Sequence, residues 1–473
     1  MDFGRDKRYK KHPYWEKAYD FILDTYLANF RENSRIYTSE EIWMDIDVSK
    51  SPGVPWTRYG FRTKLETLLS EEYYQYRQVK RYKLKPPVWS VVGKVEWLEG
   101  DLLDEGKCRT FIIPPLDLLE GQKRLYSGQN KAMKMFHWSA YGFNPYQGGV
   151  DRLAERLLVN PIFITYDVKS WDRILQVMRE AYRLRNGFLP DCYEKEFRFV
   201  TENTVAAYMI LANGLVVKRS VGNCSGSNNT TTDNILCHSF ILAFTLLVLY
   251  DGDVELVEKV VAALFGDDDV ASLPHTDKDV EQVFRECFRV FHMELDPVKV
   301  SNSLEGMEFL GFRFKRTRLG WIPEYNASRL IAAFCYQIEK PADEAASLSK
   351  AWSLLVMSAG CERRVFDTLA DCVGEYLLMF RDSVDPVIRS YVEAGTPTFE
   401  DCMDFYLGRE SASAIEELFV LPDICDFQEE GWNKFEICDV TAEAKRDTRR
   451  FSASGEEEEG PTPKGEGTFK AYT

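Results

Sequence analysis

None of the 11 cysteines forms a CxxC pair or a CxxC…HxxxH arrangement, so neither a zinc module nor a disulfide framework is indicated. Cys237-His238 and the Cys287/His292 pair stand too isolated for a metal site, and buried reduced thiols of an intracellular protein are the plain reading. Net positive charge is lacking too. The formal charge is -16, which by itself counts against a nucleic-acid partner, because phosphate binding needs local Lys and Arg. The start, Met-Asp-Phe-Gly-Arg-Asp-Lys-Arg, has no apolar signal-peptide core. The longest apolar run, Ile235 to Tyr250, is short for a bilayer and carries His238 and Ser239. We expect a buried core helix there and no intrinsic membrane anchor. Neither a tandem repeat nor, before residue 440, a linker composition is present.

What the chain does have is bulk: 473 residues, 45% hydrophobic and 14% aromatic, enough for a large core in one continuous body with subdomains. Its charge is also uneven. Acids gather near the C-terminus, with Glu456 to Glu459 unbroken, whereas Arg5, Lys7, Arg8, Lys10 and Lys11 open the chain. A second basic group, Arg77, Lys80, Arg81, Lys83 and Lys85, is interleaved with Tyr73, Tyr74, Tyr76 and Tyr82. Such residues can line a positive tunnel in a negative protein, or form a solvated helix face; both readings stay open at this point.

Periodicity predicts a helix over Trp15 to Phe30 and a rigid loop at Ser51-Pro52-Gly53-Val54-Pro55-Trp56. Val88 to Pro115 reads as extended structure interrupted by a charged loop. Pro161 to Tyr166 is a β-rich run ending at Asp167, followed by a helical pattern over Ile174 to Leu184. Asn213-Gly214 inside Tyr208 to Val217 signals a hairpin, and Val260 to Leu273 reads as strand–turn–strand around Gly266-Asp267-Asp268-Asp269. Asp233 to Tyr250 and Val280 to Phe291 read as helices, Glu308 to Phe314 as a strand, and Arg329 to about Val420 as mainly helical. The Gly-, Glu- and Pro-rich end, from about Phe451, is expected to be disordered.

The chemistry rests on carboxylates. A strand ending in Asp167 beside a turn carrying Asp267 and Asp268 would present oxygen ligands for two hard divalent cations. Each signal is weak alone: Gly-Asp-Asp is most often a solvated turn, and Asp167 with Asp172 often just caps a helix. Between them lies Gly222-Asn223-Cys224-Ser225-Gly226-Ser227-Asn228-Asn229-Thr230-Thr231-Thr232-Asp233-Asn234, a polar loop feeding a buried helix. Its hydroxyls and amides suit a sugar edge and a template backbone, or a decorated N-cap.

In this order, Asp167/Asp172, then Ser225-Gly226 with Thr230 and Asn234, then Gly266-Asp267-Asp268, the sequence resembles the viral RNA-dependent RNA polymerases. Ser51-Pro52-Gly53, the middle loop, Leu295 to Val300, Ser303 to Gly306 and Phe309 to Phe312 look closest to the astrovirus-like branch of positive-strand RNA viruses. The resemblance covers roughly residues 45 to 325. It implies an α+β right-hand fold whose palm rests on a small antiparallel sheet: fingers over 1–160 and 186–215, palm over 161–185 and 216–325, a mostly helical thumb over 326–440, and an acidic tail over 441–473. It implies Asp167, Asp267 and Asp268 as ligands of Mg²⁺, with Mn²⁺ as substitute. Asp172, Ser225, Thr230 and Asn234 would surround the ribose 2′-hydroxyl. Lys94, Lys107 and Arg109 would grip the triphosphate, although without the other motifs surface salt bridging is the favoured reading of them. Lys299 would protonate pyrophosphate, and Ser51, Gly53 and Gly226 would meet the template. Phe309 to Phe314 would brace the primer end.

Two departures stand out: Cys224 where relatives commonly have Pro, and a third acid, Asp269, expected to face away from the metals. The partners implied are template and product RNA, NTPs and other viral replication proteins, in host cytoplasm at membrane-associated complexes reached through partners. A reverse transcriptase would share the aspartates, and Phe265 two places before Asp267 fits one; Gly266 and the ribose set argue against it. A catalytically inactive RNA-binding scaffold is the second alternative, opposed by the intact carboxylates.

Overall fold

A helix that is apolar around its whole circumference has to be covered on every side, and Thr230–Leu249 is such a helix. It is long and apolar enough to cross a bilayer, yet 94% of its most apolar window is buried inside the protein. The structure, a computed structural model, describes residues 12–78, 86–93, 110–336 and 343–409. The Tyr14–Asn33 helix packs along the central helix, with Trp15 edge-on to Phe240 at 4.8 Å between ring centres. The Val280–Val290 helix closes another side through Phe284 and Phe288, and Phe291, just beyond it, meets Phe244.

Beneath these helices lies a sheet. In chain order the strands are β1 (Val88–Gly93), β2 (Thr110–Ile113), β3 (Ile162–Val168), β4 (Tyr208–Ile210), β5 (Val216–Lys218), β6 (Val261–Phe265), β7 (Asp268–Leu273), β8 (Leu295–Ser301), β9 (Glu308–Phe309), β10 (Phe312–Arg316) and β11 (Trp321–Tyr325). The central sheet has the order β6-β7-β3-β8, with every neighbouring pair antiparallel. A second sheet, β2-β1-β4-β5, includes the parallel pair β1–β4, and β11-β10-β9 form a third. The chain is thus a mixed α+β protein of small sheets and many helices. Its C-terminal described part, Glu344–Ser358, Arg363–Met379, Pro386–Ala394 and Phe399–Leu407, is helical around a separate core of Trp352, Leu355, Phe366 and Tyr406.

Three local expectations need correction. Glu308 to Phe314 is not one strand: Leu310 and Gly311 both take positive φ (47° and 74°), and Phe309 pairs with Phe312 across that two-residue turn. The helix expected over Ile174 to Leu184 is broken into Trp171–Ile174 and Met178–Asn186, because the Leu175 carbonyl accepts the Gly222 N–H (2.6 Å) instead of continuing the helix. The β4–β5 hairpin forms where Asn213-Gly214 predicts it, but over a longer loop closed by Leu211 N–H to the Leu215 carbonyl. The second basic cluster beyond Gln78, the charged loop after Gly93 and the acidic end lie outside the described residues.

One buried charge pair ties the central helix to its surroundings. Arg185 and Asp233, both fully buried, are in contact at 2.7 Å (Nε to Oδ1). The Tyr182 hydroxyl donates to Asp233 Oδ2 (3.0 Å), and the guanidinium donates to Asn130 Oδ1 (3.0 Å) and Thr232 Oγ1 (2.8 Å). Removing one partner strands the other charge in the core. We predict that Asp233→Ala destabilises the protein by about 3–5 kcal/mol in denaturant unfolding, whereas Arg185→Met with Asp233→Leu recovers most of that loss. A single-variant loss below about 1 kcal/mol would mean that the pair behaves like a solvated surface bridge.

Candidate active site

The site begins with a turn. Pairing of β6 and β7 ends at Phe265 opposite Asp268, leaving Gly266 and Asp267 as the connection. Gly266 has φ +69°, the positive value that the first position of a type II′ turn requires. A Cβ there would meet nothing within 4 Å, so the backbone conformation and not crowding selects glycine. β3 lies beside β7 with Ile164 opposite Ala271, and continuing that register sets Asp167 level with Asp268.

The backbone ladder itself stops at Ile164, and side chains take over. Thr165 Oγ1 donates to the Asp269 carbonyl (2.7 Å) and the Tyr166 N–H donates to Asp269 Oδ1 (3.3 Å). Asp269 is buried, which pushes its carboxyl well up, and it belongs to the sheet rather than to the open face of the turn. On the other side of β3, the register with β8 shifts between Tyr166 and Val168. The extra residue lies on β8, where Asp296 and Pro297 together stand opposite Asp167, and such bulges bend the strand at the cost of a ladder bond.

Asp167, Asp267 and Asp268 are all exposed. Asp268 is open to water on one side but walled by protein on the others. Its pKa is pushed up to about 7, first by that partial desolvation, then by Asp267, Asp167 and Glu308. Glu308 enters through β9, whose carbonyl there accepts Thr165 Oγ1 (3.0 Å). No spacing in the sequence connects Glu308 to the aspartates; only the packing of β9 against β7 does. Among the described residues no three His, Cys, Asp or Glu side chains close into a ligand cage. The donor set is nevertheless all carboxylate oxygen, crowded and mutually repelling, and it fits a hard divalent cation such as Mg²⁺ or Mn²⁺.

A polar loop borders the carboxylates. The Asn223 N–H donates to the Asp172 carbonyl (2.9 Å), while Asn223 Nδ2 donates to Asn234 Oδ1 (2.9 Å) and the Thr230 carbonyl (3.2 Å). Asn223 thus links two expected site residues, a role its place in a long polar run conceals. Thr230 Oγ1 donates to the carbonyls of Cys224 (2.7 Å) and Ser227 (2.9 Å), closing the loop on itself. Ser225 Oγ accepts the Ile112 N–H (3.1 Å), and the Gly226 N–H donates to the Ile112 carbonyl (3.0 Å). A Cβ on Gly226 would sit 2.3 Å from that carbonyl oxygen, so this approach needs glycine.

The chain just after β2 anchors the Ser51–Gly53 loop: the Leu116 N–H donates to the Pro52 carbonyl (3.1 Å), while within the loop the Gly53 N–H donates to Ser51 Oγ (3.3 Å). Ser51, Gly53, Ser225 and Gly226 therefore all register on the chain from Ile112 to Leu116. Lys107 and Arg109, which precede β2, and Lys94 lie outside the described residues. Lys299 sits on β8 opposite Thr165, and its ammonium donates one of its three protons to the Gly306 carbonyl (2.7 Å). Lys169, two residues after Asp167, is held by Glu294 (3.0 Å) and Asp296 (2.9 Å).

The sequence pattern of the family described as viral RNA-dependent RNA polymerase matches residues 11–373. The chain is 26% identical over 372 residues to the genome polyprotein of Brome streak virus (strain 11-Cal), covering 76% of this chain and 11% of that polyprotein. It is 27% identical over 282 residues to the non-structural polyprotein 1AB of Mink astrovirus 1, covering 53% of this chain and 20% of the relative. With the corresponding polyprotein of Turkey astrovirus 1 it shares 23% identity over 386 residues, 76% of this chain and 23% of the relative. The chain thus spans a minor part of each of these polyproteins.

The raised pKa of Asp268 has a stability consequence. The folded state holds this proton more tightly than the unfolded chain, so the group destabilises the cation-free fold increasingly as pH rises from the ordinary value of 3.8 toward about 7. Asp268→Asn is therefore expected to raise the cation-free Tm. The gain should be full above pH 7, shrink as pH falls and vanish below 3.8. Thermal scans of both proteins in chelator across that range test this. A gain that does not vary with pH would remove the repulsion argument.

Proposed function

This chain belongs to the viral RNA-dependent RNA polymerase family, and from that premise we propose that it adds ribonucleotides from NTPs to an RNA 3′-hydroxyl on an RNA template, in viral genome replication and transcription. The observation that carries the reading is the antiparallel β3–β7 register, which, extended past Ile164, brings Asp167 level with Asp268 of the Gly266 turn. Asp167, Asp267 and Asp268 would hold Mg²⁺, or Mn²⁺ in its place, and two such ions supply Lewis-acid activation of the hydroxyl and support for departing pyrophosphate.

The chain's own residues do the rest. Asn234 Oδ1 is occupied by Asn223, so its amide N–H groups are the part left to turn toward a ribose hydroxyl, beside Asp172 and the Ser225 hydroxyl. Thr230 holds the loop in that shape. Lys94, Lys107 and Arg109 would neutralise the triphosphate, and Lys299 would return a proton to pyrophosphate. Ser51, Gly53 and Gly226 would pass the template along β2. In a right-hand division, residues 161–185 and 216–325, which include the β6-β7-β3-β8 sheet, would be the palm, 326–440 the thumb, and 1–160 with 186–215 the fingers. Template and product RNA are the direct partners. Replication proteins released from a common polyprotein, at membrane-associated complexes in host cytoplasm, complete the proposed setting.

The ribose-facing set favours RNA synthesis over reverse transcription, and the intact carboxylates oppose an inactive scaffold. The test is incorporation on a defined RNA template, with and without primer, with NTPs or dNTPs, in Mg²⁺ or Mn²⁺. We expect ribonucleotide addition, and a loss of at least ~10²-fold for Asp268→Ala with template binding retained. Preference for dNTPs would favour the reverse transcriptase. Unchanged activity of Asp268→Ala would end the site assignment.

A further inference from the structure

We propose that His238 is a positioning residue whose imidazole bridges the two carboxylate-bearing strand ends and so fixes Asp167 relative to Asp267; this rests on the polymerase reading above. His238 lies on the central helix, one turn beyond Asn234, and is fully buried. Its Nδ1 is 3.2 Å from the Gly266 carbonyl oxygen and its Nε2 is 2.8 Å from the Tyr166 hydroxyl. A carbonyl can only accept, so Nδ1 carries the proton, and the Nε2 lone pair then accepts from the Tyr166 hydroxyl. Both ring nitrogens are thereby satisfied in a dry site. Burial also pushes the imidazole down to about 4, which agrees with a neutral ring holding one proton.

The partners are what make the ring more than a satisfied core group. Gly266 immediately precedes Asp267, and Tyr166 immediately precedes Asp167. Trp171, which precedes Asp172, lies against the ring at 5.1 Å between centres. Asn234 sits four residues earlier on the same helix, one turn away. Every aspartate-bearing segment of the site is therefore indexed to one side chain. The bridge is needed because the β3–β7 ladder ends at Ile164, short of Asp167. Beyond that point the turn and the end of β3 have no backbone hydrogen bond between them among the described pairs. The Asp269 carboxylate ties down Tyr166 from the sheet side; His238 ties the same residue to the turn from the helix side.

Three variants of the full chain test this. His238→Leu removes both bonds, Tyr166→Phe removes one while keeping the ring, and His238→Asn sets an amide donor where Nδ1 stood, retaining the Gly266 bond. Single-nucleotide addition gives kcat and KM for NTP per competent complex, and calorimetry gives Mn²⁺ affinity independently of turnover. We expect His238→Leu to lower kcat by ~10²-fold, with KM within about threefold, and to weaken Mn²⁺ binding by about tenfold. His238→Asn should regain most of both losses, and Tyr166→Phe should fall between. A role confined to packing predicts a lower Tm with unchanged kcat per competent complex and unchanged Mn²⁺ affinity, which would overturn the proposal. If His238→Leu does not fold, wild-type values for both Tyr166→Phe and His238→Asn overturn it. Wild-type protein that binds Mn²⁺ but adds no nucleotide defeats the polymerase reading instead, and the bridge is then judged on Mn²⁺ affinity alone.

Discussion

Like charges at the ends of two adjacent strands are the constraint on which this structure turns. At about 4 Å separation, two carboxylates repel by ~1 kcal/mol in water and several times that in a partly desolvated cleft. Asp167, Asp267 and Glu308 all act on Asp268, whose pKa is raised to about 7 first by partial desolvation and then by their charges. A flexible scaffold would relieve the repulsion by letting the strands part. This one prevents that with buried ties: the Asp269 carboxylate on the Tyr166 amide, Thr165 on the Asp269 and Glu308 carbonyls, and His238 across to the turn.

The central helix explains how so many ties reach one point. It is buried all round, so each face touches a different element: Asp233 meets Arg185, Asn234 meets Asn223, and His238 meets Tyr166 and the Gly266 turn. Polar groups inside such a helix are costly unless each is paired, and here nearly every one is. Apolar replacements would bury as well, but they would leave the relative positions of sheet, turn and loop to packing alone. The spacing of polar residues along the helix therefore acts as a ruler. It carries the register of the Ser225 loop into the register of the aspartates.

What the sequence reveals follows from how local each feature is. Asp167, the Gly266 turn and both hairpins are visible because strand pattern and turn chemistry are written in neighbouring residues. The β9–β10 hairpin hides because leucine occupies one of its two left-handed positions, leaving Gly311 as the lone cue. The break before Met178 hides because its cause, Gly222, is distant in the chain. Asn223, Glu308 and His238 are invisible for the same reason: their roles exist only in partners brought up by tertiary packing. His238 even reads from sequence as a blemish in an apolar run. The ribose-side residues were named from motif order, while the bonds that orient them could not be.

The two halves of the site are held by different means, and this sets how each tolerates change. The carboxylate end is fixed by side chains, so conservative substitutions can retain a donor or an acceptor. The loop end leans more on backbone: the Ile112 N–H donates to Ser225 Oγ, but the Gly226 N–H donates to the Ile112 carbonyl and the Leu116 N–H to the Pro52 carbonyl. The last two ties leave no side chain to exchange, and Gly226 has no room for even a methyl group. Because the Ser51–Gly53 loop and the Ser225–Gly226 loop both hang on the short stretch from Ile112 to Leu116, a shift of that stretch moves both together. Its upstream neighbours are Lys107 and Arg109, the residues proposed to meet the triphosphate. Template and sugar contacts would then share one mechanical reference, which the central helix couples, through Asn234 and His238, to the one that sets the aspartates.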